Sequence, residues 1–225
     1  MSRVLTFAAA VSVAASLACT ATSGWTVGAA TKIDIASDAI GAPPSDFELS
    51  QTGDGERGQW TVVRDPTAVE GVAIEHRSMD PHDDRFPIAI YKPLSFEHLE
   101  ASVRLKIISG TMQTAGLAVC LRDQNSYYAV GASALEHRVD LLLFAKGRVT
   151  RIESAEADVV SDRWHTLRVV ANDDHFTVSL DGKELFVTFD RARRKDGRLA
   201  LWTQEDNVTR FDHIQIRALP VPGDN

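Results

Sequence analysis

Alternation with a period of two, broken at short intervals by turn-forming residues, runs through most of this 225-residue chain. It is clearest from Trp164 to Leu185, WHTLRVVANDDHFTVSLDGKEL. Leu167 and Val169 share one face, and Thr166, Arg168 and Val170 take the other. After Asn172-Asp173-Asp174 the pattern resumes with Phe176, Val178 and Leu180 set against Thr177 and Ser179. Successive side chains of a strand point to opposite faces, so these are two half-buried strands. Asp181-Gly182 supplies the two residues tolerant of positive φ that a type I′ hairpin turn requires. A helix needs apolar residues three and four apart, and no segment keeps that spacing for long. Trp164 opens the pair and is expected to anchor the core.

The same signals predict strands near Phe47–Ser50, Gln59–Arg64, Val72–His76, Phe86–Tyr91, His98–Ile108, Ala115–Arg122 and Tyr127–Ala132. They continue near Arg138–Phe144, Val149–Glu153, Trp164–Val170, His175–Leu180, Lys183–Phe189, Arg198–Thr203 and Thr209–Arg217. Lys146-Gly147 and Lys195-Asp196-Gly197 punctuate them as further turns. With 44% apolar residues the chain can bury a substantial core, and all-β sandwiches of this length are commonly one domain. The expected organisation is a leader over 1–30, an extended lead-in over 31–46, one all-β domain over 47–218 and a tail over 219–225.

The leader is read from MSRVLTFAAAVSVAASLACTATSGWTVGAA: a basic start at Arg3, an apolar stretch from Val4 to Ala18, then small residues suited to cleavage. That stretch is about 15 residues, against the roughly 20 of a transmembrane helix, so an exported protein with no membrane span after cleavage is expected. Ser16-Leu17-Ala18-Cys19 resembles a lipobox with its leucine displaced by one position, which makes Cys19 the candidate lipid anchor. Cys120 then has no disulfide partner inside the domain, and its apolar setting in TAGLAVCLRD marks it as a small buried hydrophobe. A formal charge of -7 argues against nucleic acid as a partner, because phosphate neutralisation by Lys and Arg supplies most such affinity.

W-H-x-L-x-V at Trp164, V-x-L-D-G-K at Val178, G-R-L-A-L-W-T at Gly197 and F-D-H-I-Q-I at Phe211 together resemble the concanavalin A-like lectin/glucanase family in its laminin G-like form. The segments RFPIAIYKPLSFEHLEASVRLKIISG and RDQNSYYAVGASALEHRVDLLLFAKG are similar to secreted bacterial proteins with a 3-keto-disaccharide hydrolase-type domain. The resemblance covers about Phe47 to Arg217. It implies a concanavalin A-like jelly-roll β-sandwich of two antiparallel sheets, a fold that hosts lectins, glycosidases and adhesion modules, so function rests on the site.

The alternating carboxylates of family 16 glucanases are absent. Their nearest counterpart is ALEHRVD, where period two would put Glu136, Arg138 and Asp140 on one face. Glu136 and Asp140 are the candidate catalytic pair. Four residues of strand span about 13 Å between Cα atoms. A retaining pair of carboxyls sits roughly 5–5.5 Å apart and an inverting pair roughly 6.5–9.5 Å. Inversion would need the side chains to lean together or a second acid, Asp123 or Glu205. Alternating charge on an exposed strand face has a plainer reading, solubility. Sugar recognition needs an aromatic face and planar polar groups, and Arg122, Tyr127, Tyr128, Glu136, Arg138 and Trp202 supply them. Tyr127 and Tyr128 must point to opposite faces, one core and one exposed. Trp202 shares a face with Ala200 opposite Leu199 and Leu201, a face expected to be the concave one.

No cofactor is expected, with Asp123 and Asn125 in RDQNSYY the calcium candidates. The loops EHRSMDPHDDRFP and RARRKDGR read as solvated. The function expected is a carbohydrate- or glycoside-binding module. The alternatives are a glycoside hydrolase of the 3-keto-disaccharide type and an envelope interaction module without a sugar site.

Overall fold

The computed structural model describes residues 29–80, 83–191 and 196–220, and the leader with Cys19, His82 and much of RARRKDGR lies outside them. No described residue is helical. In chain order the strands are β1 (Thr31–Lys32), β2 (Phe47–Thr52), β3 (Gln59–Arg64), β4 (Val72–Arg77), β5 (Phe86–Tyr91), β6 (Leu99–Ser109), β7 (Thr114–Asp123) and β8 (Ser126–Ser133). They continue with β9 (Arg138–Ala145), β10 (Arg148–Glu156), β11 (His165–Asn172), β12 (His175–Leu180), β13 (Lys183–Phe189), β14 (Arg198–Thr203) and β15 (Val208–Ala218).

They form two antiparallel sheets, one ordered β13-β12-β11-β6-β15-β4-β3 with β1 against β15, the other β10-β9-β8-β7-β14-β5-β2. This is the all-β architecture expected from the alternation, in the jelly-roll sandwich that the resemblance implied. The lead-in is tied to the first sheet where Thr31 and Lys32 pair with Ile216 and Gln215 and Ile33 and Ile35 enter the core, but from Ala36 to Asp46 it runs through successive turns rather than as the extended segment expected.

The main core lies between the sheets. From the first sheet come Leu99, Ala101, Val103 and Leu105 on β6 and Leu167, Val169 and Ala171 on β11; from the second come Leu117, Val119, Val130, Leu141 and Leu201. Asp181 and Gly182 have φ of 50° and 80°, the hairpin geometry expected of that pair. Trp164 departs from expectation. Because β11 begins at His165, the alternation that buries His165, Leu167 and Val169 sends Trp164 to the outward face. There its Nε1–H donates to Thr67 Oγ1 at 2.9 Å, and the Arg104 and Lys106 cations lie 4.7 and 4.9 Å from its ring centroid.

The second sheet carries apolar residues on both faces. Phe86, Ile88, Ala118, Tyr127, Ala129, Phe144, Ala200 and Trp202 form a cluster drawn from this sheet alone, on the face turned away from the first. Phe86 on β5 and Phe144 on β9 have ring centroids 4.8 Å apart. In a flat sheet those strands, four spacings apart, would stand roughly 19 Å from one another. The sheet must therefore coil so that this face is concave, and its aromatic side chains fill the hollow they create. Trp202 is on the concave face with Ala200, as the alternation of LALWT implied.

Candidate functional site

At one end of β7 the ladder is broken by a bulge. Cys120 has φ of 52°, and the register shifts between Val119 and Asp123 toward β8 and between Arg198 and Ala200 toward β14. Gly197 makes the bulge possible, since a Cβ there would lie 2.2 Å from the Cys120 carbonyl carbon. The extra residue puts Val119 and Cys120 both in the main core and returns Leu121 to the concave side. Bulges re-aim the residues that follow them; here those are Arg122 and Asp123 at the rim. Cys120 is buried and forms no disulfide among the described residues, as expected from its apolar setting.

The β7–β8 turn is built by its own side chains. Asp123 Oδ1 accepts the Asn125 N–H at 2.8 Å, and Gly147 N–H of the β9–β10 turn donates to Asn125 O at 3.0 Å, which joins the two turns. Lys146 and Gly147 both have positive φ, 53° and 78°. Gln124 reaches across the concave face: Ser50 Oγ contacts its Oε1 at 3.1 Å, and Thr52 Oγ1 donates to its backbone oxygen. With that hydroxyl hydrogen committed, the Tyr127 phenol is the donor to Thr52 Oγ1, at 2.8 Å. Burial pushes the Tyr127 hydroxyl well above the usual phenol range and keeps it neutral.

Tyr127 and Tyr128 point to opposite faces, as expected, but both are buried, because this sheet is apolar on both sides. Tyr127 stacks on Phe144 at 4.3 Å, whereas Tyr128 meets Phe176 at 4.8 Å and donates its O–H to Asp190 Oδ2 at 2.8 Å. Between these turns and rings lies a cavity of about 630 Å³ lined by Arg122, Asp123, Ser126, Tyr127, Tyr128, Phe144 and Lys146, among others. That volume is in the range of small-molecule sites, roughly 300–1,000 Å³, and aromatic walls with a few polar groups are what such sites use.

The other sequence-derived candidates lie elsewhere. Glu136 is in the turn before β9, where His137 has φ of 49°, so it is not in strand register with Arg138 and Asp140. Arg138 bridges the two acids, at 2.5 Å from Glu136 and 3.0 Å from Asp140, and Arg151 approaches Asp140 at 3.3 Å. This ladder of ion pairs, with Asp140 buried and Glu136 and Arg151 exposed, stands at the opposite end of β8 and β9 from Arg122. Ser133 pairs with Arg138 at one end and Ser126 with Ala145 at the other, seven residues or about 23 Å apart along a strand. Glu136, Arg122 and Trp202 therefore do not converge. A smaller hollow of about 380 Å³ accompanies Glu136, with His137, Glu156, Asp158 and Lys183 in its wall.

Trp202 is wholly buried, stacked against Phe86 at 5.6 Å. Its ring lies over Gly131, where a Cβ would come within 2.9 Å of it. It cannot cover a sugar without the hollow being opened. Neither acid suggested as a partner for Glu136 reaches it: Asp123 belongs to the far turn, and Glu205 sits beside Arg85, accepting Gln204 Nε2 at 3.2 Å. Burial, then the charges of Asp83, Asp206 and Asp84, raise the Glu205 carboxyl above its ordinary range. No group of three or more His, Cys, Asp or Glu suited to a metal occurs among the described residues.

Sequence reasoning missed Lys146, Ser126 and Phe144. Lys146-Gly147 was legible as a turn, but only long-range pairing of β8 with β9 shows that this turn meets Arg122.

No protein-family model matches the chain, and no curated protein matches it either. Solved structures do. A carbohydrate-binding module of family 66 from Bacillus subtilis superposes with a TM-score of 0.62 at 16% identity, over 77% of this chain and 98% of that one. The exoplasmic/lumenal domain of VIP36, solved with calcium and mannose, gives 0.56 at 11% identity over 80% and 86%. Domain 4 of the extracellular arabinanase AbnA from Geobacillus stearothermophilus, solved with arabinotriose, gives 0.52 at 14% identity over 79% and 85%. At these identities the likeness is one of fold, and it places the chain among concanavalin A-like jelly-roll sandwiches.

Proposed function

We propose that the protein is an exported carbohydrate-binding module that takes a glycan or glycoside into the cavity between the β7–β8 and β9–β10 turns, without hydrolysing it. The observation that carries this reading is the meeting of Arg122, Asp123, Ser126 and Lys146 around one hollow whose wall also includes Tyr127 and Phe144. The polar rim offers donors and acceptors for sugar hydroxyls, and Tyr127 and Phe144, buried behind it, give the hollow a rigid apolar backing. Three neighbours in fold are a carbohydrate-binding module, a mannose-bound lumenal domain and an arabinotriose-bound domain, which supports the same reading.

Hydrolysis of a 3-keto-glycoside would need two convergent carboxyls. Among the described residues Asp123 is the single carboxylate in the cavity wall, and Glu136 and Asp140 are held to one guanidinium elsewhere. Calorimetry against a broad glycan panel tests the proposal, with Ser126→Trp as the variant that fills the hollow. The wild type should bind at least one glycan class, Ser126→Trp should not, and 3-keto-glycosides should survive incubation with either. Binding undiminished by Ser126→Trp would relocate the site. Absence of binding across the panel would favour an envelope interaction module. Export is tested separately: the mature N-terminus should fall between Cys19 and Thr31, with a diacylglyceryl mass on Cys19 if the lipobox is used.

A further inference from the structure

The charges around the cavity narrow its ligand further, and this inference rests on the reading just given. Some cations, Arg148 and Lys183 among them, have no ion-pair partner among the described residues, but many elsewhere on the sandwich meet carboxylates at close range: Lys106 and Asp65 at 2.7 Å, Arg198 and Glu48 at 2.8 Å, Arg104 and Asp212 at 2.9 Å. The two cations of the cavity wall do not. Arg122 has one carboxylate near it among the described residues, Asp196 at 4.0 Å, and that side chain is 71% exposed. A contact so long and so open to water holds the guanidinium weakly. Lys146 has no ion-pair partner among the described residues. Asp123, the carboxylate of the wall, turns one oxygen inward to the Asn125 N–H of its own turn.

In a chain of formal charge -7, two cations against the one Asp123 carboxylate in the wall of this hollow leave its local sign positive. Their geometry suits different halves of one task. The guanidinium offers a planar fork that matches a carboxylate or sulfate, and the ammonium is a mobile point charge able to follow it. Tyr127 and Phe144, buried and stacked at 4.3 Å, give the same hollow a rigid apolar backing. We propose that the cavity selects an anionic saccharide, with Arg122 and Lys146 receiving a carboxylate or sulfate ester carried on the sugar ring.

The test uses matched pairs in which the anionic group is capped or removed on the same saccharide backbone: trigalacturonate with its methyl ester, and a sulfated galactan oligosaccharide with its desulfated counterpart. Calorimetry would be run on the full chain and on Arg122→Gln and Lys146→Asn, the latter chosen because Asn tolerates the positive φ of that turn. Melting temperatures check that both variants fold. At least one anionic member should bind about ten-fold or more tighter than its uncharged partner, with an affinity that falls as salt rises. Each variant should lose about ten- to a hundred-fold on the anionic ligand and little on the uncharged one. Which pair discriminates identifies carboxylate or sulfate as the anion. Equal binding within both pairs would overturn the inference while leaving the glycan reading intact, as would variants that weaken charged and uncharged ligands alike. Failure of every saccharide, charged or neutral, would remove the glycan reading itself.

Discussion

Replacing His76 by Asn should flatten the acid side of the protein's stability profile. His76 is completely buried, its ring 4.7 Å from that of Trp60. Nδ1–H donates to Asn207 O at 2.9 Å, while Nε2 has no hydrogen-bond partner and faces Gly58, where a Cβ would lie only 2.0 Å from it. Burial disfavours the imidazolium, the Arg85 charge disfavours it further, and the Asn207 carbonyl works the other way; the result is a fall from the ordinary 6.5 to about 3.

The sign follows from linkage. Below pH 6.5 the unfolded chain binds a proton that the folded chain refuses, so the stability His76 contributes is complete above that pH and is lost as pH falls toward 3. At about 1.4 kcal/mol per pH unit, the loss is about 2 kcal/mol at about pH 5 and approaches about 5 kcal/mol near pH 3. Asn keeps a donor for Asn207 and does not titrate. Urea denaturation near pH 8 and near pH 5 should show the wild type losing about 2 kcal/mol more than His76→Asn over that interval. The variant's lower stability near pH 8, from lost contact with Trp60, does not affect this difference. Equal losses in the two proteins would refute the assignment of His76 as a buried neutral base.

Asp65→Asn should destabilise the fold by about 3–5 kcal/mol in the same assay, since it leaves buried Lys106 without the carboxylate it meets at 2.7 Å. Burial alone would raise the Asp65 carboxyl, but Lys106, Thr67 and Arg210 outweigh it and hold it well below the usual range, so this support persists above about pH 4 and fades only in stronger acid. Gly197→Ala should cost more than the roughly 1 kcal/mol of an ordinary mutation, because the new Cβ meets Cys120 backbone rather than a movable side chain; calorimetric melting and loss of ligand binding both read it. Chelation with EDTA should leave glycan binding unchanged, Asp123 Oδ1 being already engaged by Asn125. Glu136→Gln should also leave binding unchanged in calorimetry, since the side chain pairs with Arg138 at the opposite end of the strand.

The strands were legible because each carries its own evidence: β3, β5, β12, β13 and β14 begin and end where alternation and turn residues place them. Parity was legible too, and it put Trp202 on the concave face. The same rule, applied from His165, would have sent Trp164 outward; expecting Trp164 in the core set size above register. What alternation cannot express is which end of a strand meets which neighbour. Glu136 and Arg122 are close in sequence pattern and about a strand's length apart in space, because β8 runs back along both β7 and β9. Nor does it express curvature. The coiling that brings Phe86 to Phe144 depends on small residues such as Gly116 and Gly131 facing each other across β7 and β8, and it turns the presumed sugar platform into a second core.

The most direct test of the account is to locate a bound saccharide. An NMR titration of isotopically labelled protein with the tightest ligand of the panel should shift backbone amides of Arg122 to Tyr128 and of Phe144 to Gly147 together, leaving those of Glu136 to Asp140 still. Shifts centred on Glu136 to Asp140, or on the outward face around Trp164, would contradict the placement of the site at the β7–β8 and β9–β10 turns.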